Sequence, residues 1–139
     1  MLPLDEFSPE LAFLLDRGFV AREGYAYDFG DDAQLLLTGP FTLRLSRGRG
    51  QILLDFGDND GGWIYFNWLV EFLDGLSFSD PVFDTDIHGY PRPASTAKWM
   101  IGAWPRLLNL FSDADEVRKL RKFSDERQKA FAESWLGTT

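Results

Sequence analysis

Gln34-Leu35-Leu36-Leu37-Thr38-Gly39-Pro40-Phe41-Thr42-Leu43-Arg44-Leu45-Ser46 is the stretch that decides the fold. Leu35, Leu37, Phe41, Leu43 and Leu45 share one parity, while Gln34, Thr38, Thr42, Arg44 and Ser46 share the other. Side chains on a strand point alternately to two faces, so this period of two predicts extended chain with one face turned inward. Gly39-Pro40 interrupts it. Proline lacks the N–H that a paired strand donates, so the stretch reads as two strands of a hairpin, with a bulged edge strand as the alternative. Arg44 falls on the face opposite Leu43 and Leu45, where it can pair with an acid across the sheet.

On the N-terminal side, residues 19–29 read as a preceding strand closed by the turn Gly30-Asp31-Asp32. On the C-terminal side, the turn Arg47-Gly48-Arg49-Gly50 leads into residues 51–56, with Ile52, Leu54 and Phe56 inward. Connections this short join neighbouring antiparallel strands, which gives a meander of about four strands. After Asp58-Asn59-Asp60-Gly61-Gly62, residues 63–66 add a short fifth.

Helices flank this sheet. Ser8-Pro9-Glu10 is a helix start with Ser8 as cap, Leu11, Leu14 and Leu15 follow on one face, and Gly18 supplies the left-handed stop. Residues 67–74 form a helix capped by Asn67 and ended by Gly75. Residues 76–94 are rich in Pro and Asp yet hold Phe78, Val82, Phe83, Ile87 and Tyr90, the composition of an ordered loop packed on the domain. Ser95 or Thr96 opens a helix through Trp104, and Pro105 ends or kinks it while starting a short helix to Phe111. Ser112-Asp113-Ala114-Asp115 resembles a capping box for a last helix to Leu136, with Asp115/Lys119 and Asp125/Lys129 in favourable order and Val117, Leu120, Phe131 and Trp135 as its buried stripe. The fold class expected is α+β, an antiparallel sheet of four or five strands packed by an N-terminal helix and several C-terminal helices.

At 139 residues the chain suits one domain, which buries roughly two-thirds of its unfolded surface. Aromatics are 16% of it, with 13 Phe and 5 Trp, enough to fill a core without disulfide staples. There is no cysteine, which excludes disulfides, thiolate metal sites and a cysteine nucleophile. The N-terminus lacks the basic region and the apolar run of a secretory signal, and no apolar run approaches the ~18 residues of a membrane span. The expectation is a cytoplasmic protein with no membrane association.

Net charge is −8, which repels a phosphate backbone and argues against nucleic acid as partner. Residues 51–91 carry Asp55, Asp58, Asp60, Glu71, Asp74, Asp80, Asp84 and Asp86 and no Lys or Arg, so this segment accounts for the whole excess. Gathered on one surface, those acids would be a source of negative potential facing a basic protein partner.

Motifs for chemistry are sparse. His88 is the one histidine, flanked by Asp84 and Asp86, with Ser77, Ser79 and Ser95 as candidate nucleophiles that nothing in the sequence brings to it. Asp58 and Asp60 before Gly61 suggest part of a calcium loop, but Phe56 and Asn67 then occupy the first and last ligand positions, where an acid and a glutamate belong. A solvated turn is the better reading there. The same holds for Asp80, Asp84 and Asp86 as ligands of a hard cation. Arg47-Gly48-Arg49-Gly50 lacks the spacing of a phosphate loop and does not join a strand to a helix. Trp99, Trp104 and Trp135 read as core, whereas Trp63 and Tyr65, beside the acidic turn, read as partly exposed. No cofactor is implied.

The run from Phe41-Thr42-Leu43-Arg44-Leu45-Ser46-Arg47-Gly48-Arg49-Gly50-Gln51 to Phe56, followed by Trp63 and Leu69-Val70-Glu71-Phe72-Leu73, resembles small uncharacterised bacterial proteins. In those, two strands joined by a similar turn lead through an aromatic residue to a short helix, and some serve as immunity partners of toxins. The resemblance spans residues 41–75 and implies no catalytic residue. The expectation is a non-catalytic protein-binding domain of the immunity or antitoxin type, with Asp58, Asp60, Trp63, Tyr65, Asp80, Asp84, Asp86 and His88 at the partner surface. The alternative is a domain binding a small molecule or metal ion, extending to a carboxylate-dependent enzyme. A deep pocket holding several of those acids with His88 would favour the alternative, and a flat acidic face the protein partner.

Overall fold

The alternating apolar face becomes the centre of one antiparallel sheet. The computed structural model describes residue 4 and residues 8–26, 33–48, 51–57 and 62–136. Five strands lie side by side in chain order: β1 (Val20–Ala26), β2 (Ala33–Thr38), β3 (Thr42–Gly48), β4 (Gln51–Gly57) and β5 (Trp63–Tyr65). Gly39-Pro40 divides β2 from β3, and the register Thr38↔Thr42, Leu37↔Leu43, Leu35↔Leu45 puts the leucines of one parity together. All four of those leucines are fully buried. The turn 30–32, residues 49 and 50 of the next turn, and Asp58 and Asp60 lie outside the described residues.

A short 3-10 turn, Pro9–Leu11, precedes α1 (Phe13–Asp16), and three further helices follow the sheet: α2 (Phe66–Asp74), α3 (Pro93–Phe111) and α4 (Ala114–Leu136). An aromatic layer joins α3 to the inner sheet face. The Phe41 ring lies 5.7 Å from Trp104 and 4.7 Å from Phe111, and Phe56 lies 5.9 Å from Phe111. Such pairs add to the burial of large rings, and they connect Trp99, Trp104, Phe66 and the sheet leucines into one hydrophobic cluster.

Several local expectations change. Leu11 and Leu14 are buried, but the first helix is a single turn and leaves Leu15 exposed. Ser8 makes no capping hydrogen bond, its hydroxyl donating to Glu10 instead. The α2 cap is Tyr65 rather than Asn67, and Gly75 at φ 66° ends the helix in the left-handed conformation. Pro105 does not break the chain into two helices but sits inside the continuous α3. It faces solvent, as does Ile101 one turn earlier, where water can satisfy the carbonyl that lost its donor, while Ala103, Trp104, Leu107 and Leu110 keep the core-facing stripe intact. Asp113, not Ser112, caps α4, its Oδ1 accepting the amides of Asp115 and Glu116. Asp115 then pairs with Arg118 and Lys119 with Glu116, one residue closer than the expected Asp115/Lys119 pair.

The largest correction concerns α4. Val117, Leu120 and Ser124 are buried, whereas Phe131 and Trp135 are 51% and 73% exposed. The described body ends before the helix does, so the apolar stripe continues past the surface it packs on. Among the described residues no helix is long and apolar enough to cross a membrane.

Candidate functional site: a cavity on the outer sheet face

The outer face of the sheet carries the other parity, and its middle row runs Leu36, Arg44, Asp55, Tyr65 across four strands. Arg44 therefore meets an acid, as its parity requires. Its Nε and Nη2 both donate to Asp55 Oδ2, at 2.9 and 2.7 Å. Its guanidinium lies 4.7 Å over the Trp63 ring, a cation–π contact. Gly57, paired with Trp63, makes room for that ring, because a Cβ there would come within 2.9 Å of it. Asp55 is only 7% exposed, and burial pushes its carboxyl above the ordinary aspartate range despite the hydrogen bond and charge of Arg44.

β5 is three residues long and covers only Asp55, Phe56 and Gly57 of β4. The remaining edge of β4 is taken up by the loop 76–92. Tyr90 reaches across so that its hydroxyl accepts the Leu54 amide at 3.0 Å, and Gln51 Nε2 donates to Asp86 Oδ2 at 3.1 Å. An unpaired strand edge carries donors and acceptors that must find partners, and the loop supplies side chains in place of a strand. Burial pushes the Tyr90 phenol well above its ordinary range, with Asp55 and Asp86 adding to the effect, so the hydroxyl keeps its proton.

Asp86 organises the tip of this loop. Its Oδ1 accepts the amides of His88 and Tyr90, its own amide donates to the Tyr90 carbonyl, and the Gly89 amide donates to its carbonyl. Gly89 sits at φ 79°, a conformation open to glycine at little cost. Burial works to raise the Asp86 carboxyl, but the hydrogen bonds from Tyr90, His88 and Gln51 outweigh it and hold the group below the usual range. The tip is anchored below by rings: Phe78 lies 5.2 Å from Tyr90 and 5.5 Å from Phe66.

Between tip and sheet lies a cavity of about 480 Å³, with Arg44, Asp55, Tyr65, Asn67, His88 and Tyr90 among its walls. Of the residues expected at a partner surface, Tyr65 and His88 line this cavity, and Trp63 stacks behind it on Arg44. Tyr65 is exposed and Trp63 partly so, as the sequence suggested. Asp86 organises the turn. Asp84 lies 3.6 Å from Arg92, and Asp80 is engaged locally by the amide and hydroxyl of Ser77. Among the described residues, further acids of the segment 51–91 are paired with arginines from outside it: Asp55 with Arg44, Asp74 with Arg106 and Glu71 with Arg127.

The candidate nucleophiles are placed elsewhere. Ser77 and Ser79 bond each other at 2.7 Å, and Ser95 accepts the Asp84 amide. Among the described residues no three His, Cys, Asp or Glu side chains converge as a metal site. Arg44, Asp55, Asn67 and Tyr90 were not singled out as site residues from the sequence. For Arg44 and Asp55 a signal exists, since both fall on the outward parity of adjacent strands. Against known protein family models, characterised protein sequences and solved structures, the chain gives no match.

Proposed function

We propose that this chain is a non-catalytic binding domain of the immunity or antitoxin type, acting inside the cell, and that it meets a basic protein partner with the loop tip and the mouth of the cavity. The observation that carries the reading is the Asp86 turn, which holds Ile87 in a fixed place at 93% exposure. A scattered surface apolar residue needs no explanation, but this one is presented by a turn already ordered in the free protein. Binding through such a tip avoids the entropy of ordering a loop, and the affinity gained that way falls on few residues. Tyr65, half-exposed at the cavity mouth, adds an aromatic contact of the kind enriched at such centres. The net charge of −8 favours a basic partner and would speed its approach at low salt.

The second reading, a domain for a small molecule, draws on the cavity, whose volume falls in the ligand-pocket range of roughly 300–1,000 Å³. It is weaker because the cavity holds one of the sequence-segregated acids, Asp55, already paired with Arg44. The test is capture on the immobilised chain from an extract of its own cells, repeated with Ile87→Asp and Asp84→Asn. The expected result is a basic protein retained by the native chain, released by moderate salt, lost with Ile87→Asp and weakened with Asp84→Asn. Retention insensitive to salt and to Ile87→Asp would overturn the reading.

A further inference from the structure

We infer that the cavity beneath the loop tip is a receptor for one guanidinium group, that of an arginine on the partner, which bonds the free oxygen of Asp55 between aromatic walls. The inference deepens the protein-binding reading and rests on it for the source of the arginine.

Three observations support it. Both Arg44 bonds end on Asp55 Oδ2, and Oδ1 receives no hydrogen bond from a described residue. Oδ1 is not sealed from solvent, so it can take a donor that enters the cavity whose wall Asp55 helps form. The charge around the Tyr90 hydroxyl also favours a cation, since both Asp55 and Asp86 act on it while Arg44 is the one Lys or Arg among the described cavity walls. Finally, the walls include the rings of Tyr65, Phe66, Phe78 and Tyr90.

The chain already shows the geometry in miniature. Arg44 reaches Asp55 with its planar face on Trp63. A second guanidinium on Oδ1, flanked by Tyr65, repeats that arrangement on the other side of the same carboxylate. Arginine suits the site better than lysine because its plane stacks on a ring while its edge donates to an oxygen. Two cations on one carboxylate repel each other, and the Asp86 charge offsets part of that repulsion.

The probe is Nα-acetyl-arginine N-methylamide, which has no carboxylate of its own, titrated into the full chain by ¹H–¹⁵N NMR, with the citrulline analogue as a neutral isostere. The expected result is saturable shifts at the Trp63 indole and the Tyr65, His88 and Gly89 amides, with millimolar affinity, at least tenfold weaker for citrulline and for Asp55→Asn. Because Asp55→Asn leaves Arg44 without its ion pair and can disturb the fold, Tyr65→Ala is the second variant, expected to weaken binding at least threefold with the remaining spectrum unchanged. No saturable shift, equal shifts with citrulline, or full binding by folded Asp55→Asn or Tyr65→Ala overturns the inference. If capture of a basic protein persists while the arginine probe fails, the cavity assignment alone falls. If the probe binds and no basic partner is captured, the partner reading falls and the guanidinium site stands.

Discussion

The Arg44–Asp55 pair is the interaction whose energetics the structure defines most sharply, and it can be taken apart one charge at a time. The Asp55 side chain is 10% exposed and that of Arg44 26%. Removing one partner of a fully buried pair costs about 3–5 kcal/mol, and the partial access of water to Arg44 reduces this to about 2–3 kcal/mol for Arg44→Met or Asp55→Leu alone. Burial nevertheless raises the Asp55 carboxyl against the pull of Arg44, so desolvation exceeds what the pair returns. Deleting both charges should therefore leave the fold within about 1 kcal/mol of the native chain, or more stable. The pH dependence has a definite sign. A raised folded pKa contributes stability that is present below the ordinary value of 3.8 and lost as pH rises through the folded value, and Asp55→Leu removes that dependence. Urea unfolding of the four proteins, compared at equal m, gives the coupling as a double-mutant cycle. Singles that cost under about 0.5 kcal/mol, or a double equal to their sum, would refute the reasoning.

Tyr90→Phe should cost about 1–3 kcal/mol, because the Leu54 amide loses its acceptor at the sheet edge, and hydrogen exchange at that amide should accelerate. Leu45→Ala should cost about 2–5 kcal/mol by opening the core, whereas Phe131→Ala and Trp135→Ala should stay within about 0.5 kcal/mol by thermal unfolding, since both side chains are exposed. The Asp74 carboxyl is lowered chiefly by its hydrogen bond from Arg106, with Trp99 assisting against burial. Its contribution is present above the unfolded value and lost as pH falls through the folded one, so Asp74→Asn should flatten the acid limb of a stability–pH curve below about pH 4. Asp86→Ala should release the loop tip, read as faster exchange at the His88 and Tyr90 amides and as loss of protection along residues 51–54.

The sheet was legible because its signal is local. The alternation in residues 34–46 fixes parity, Gly39-Pro40 fixes the break, and short connections fix the order of neighbours, so a meander follows with little freedom. Arg44 across from an acid was legible for the same reason. The errors lie where a helix depends on what stands beside it. Phe131 and Trp135 continue the stripe of Val117 and Leu120 in sequence, but periodicity does not say how far the packing surface extends. Pro105 carries a strong local signal for a break, and the position of its ring on the solvent side of α3 overrides it. The cavity was illegible for a different reason. Its walls come from β3, β4, β5, the start of α2 and the loop 76–92, and the contacts Tyr90–Leu54 and Gln51–Asp86, 36 and 35 residues apart, have no trace in either segment read alone.

Those two contacts also explain why a functional face would arise here. β5 stops after three residues, which leaves the Leu54 amide and its neighbours facing outward at the edge of the sheet. An open edge invites pairing with another chain, and a loop rather than a strand closes this one. A strand would have extended the sheet and left nothing concave. The loop meets β4 through the side chains of Tyr90 and Asp86, and the cavity lies between its tip and the outer sheet face. The residues that meet the edge strand are thus Asp86 and Tyr90, while Ile87 and His88 are carried at the tip. Stability constrains the first set, and the second set is left open to selection by whatever the tip meets.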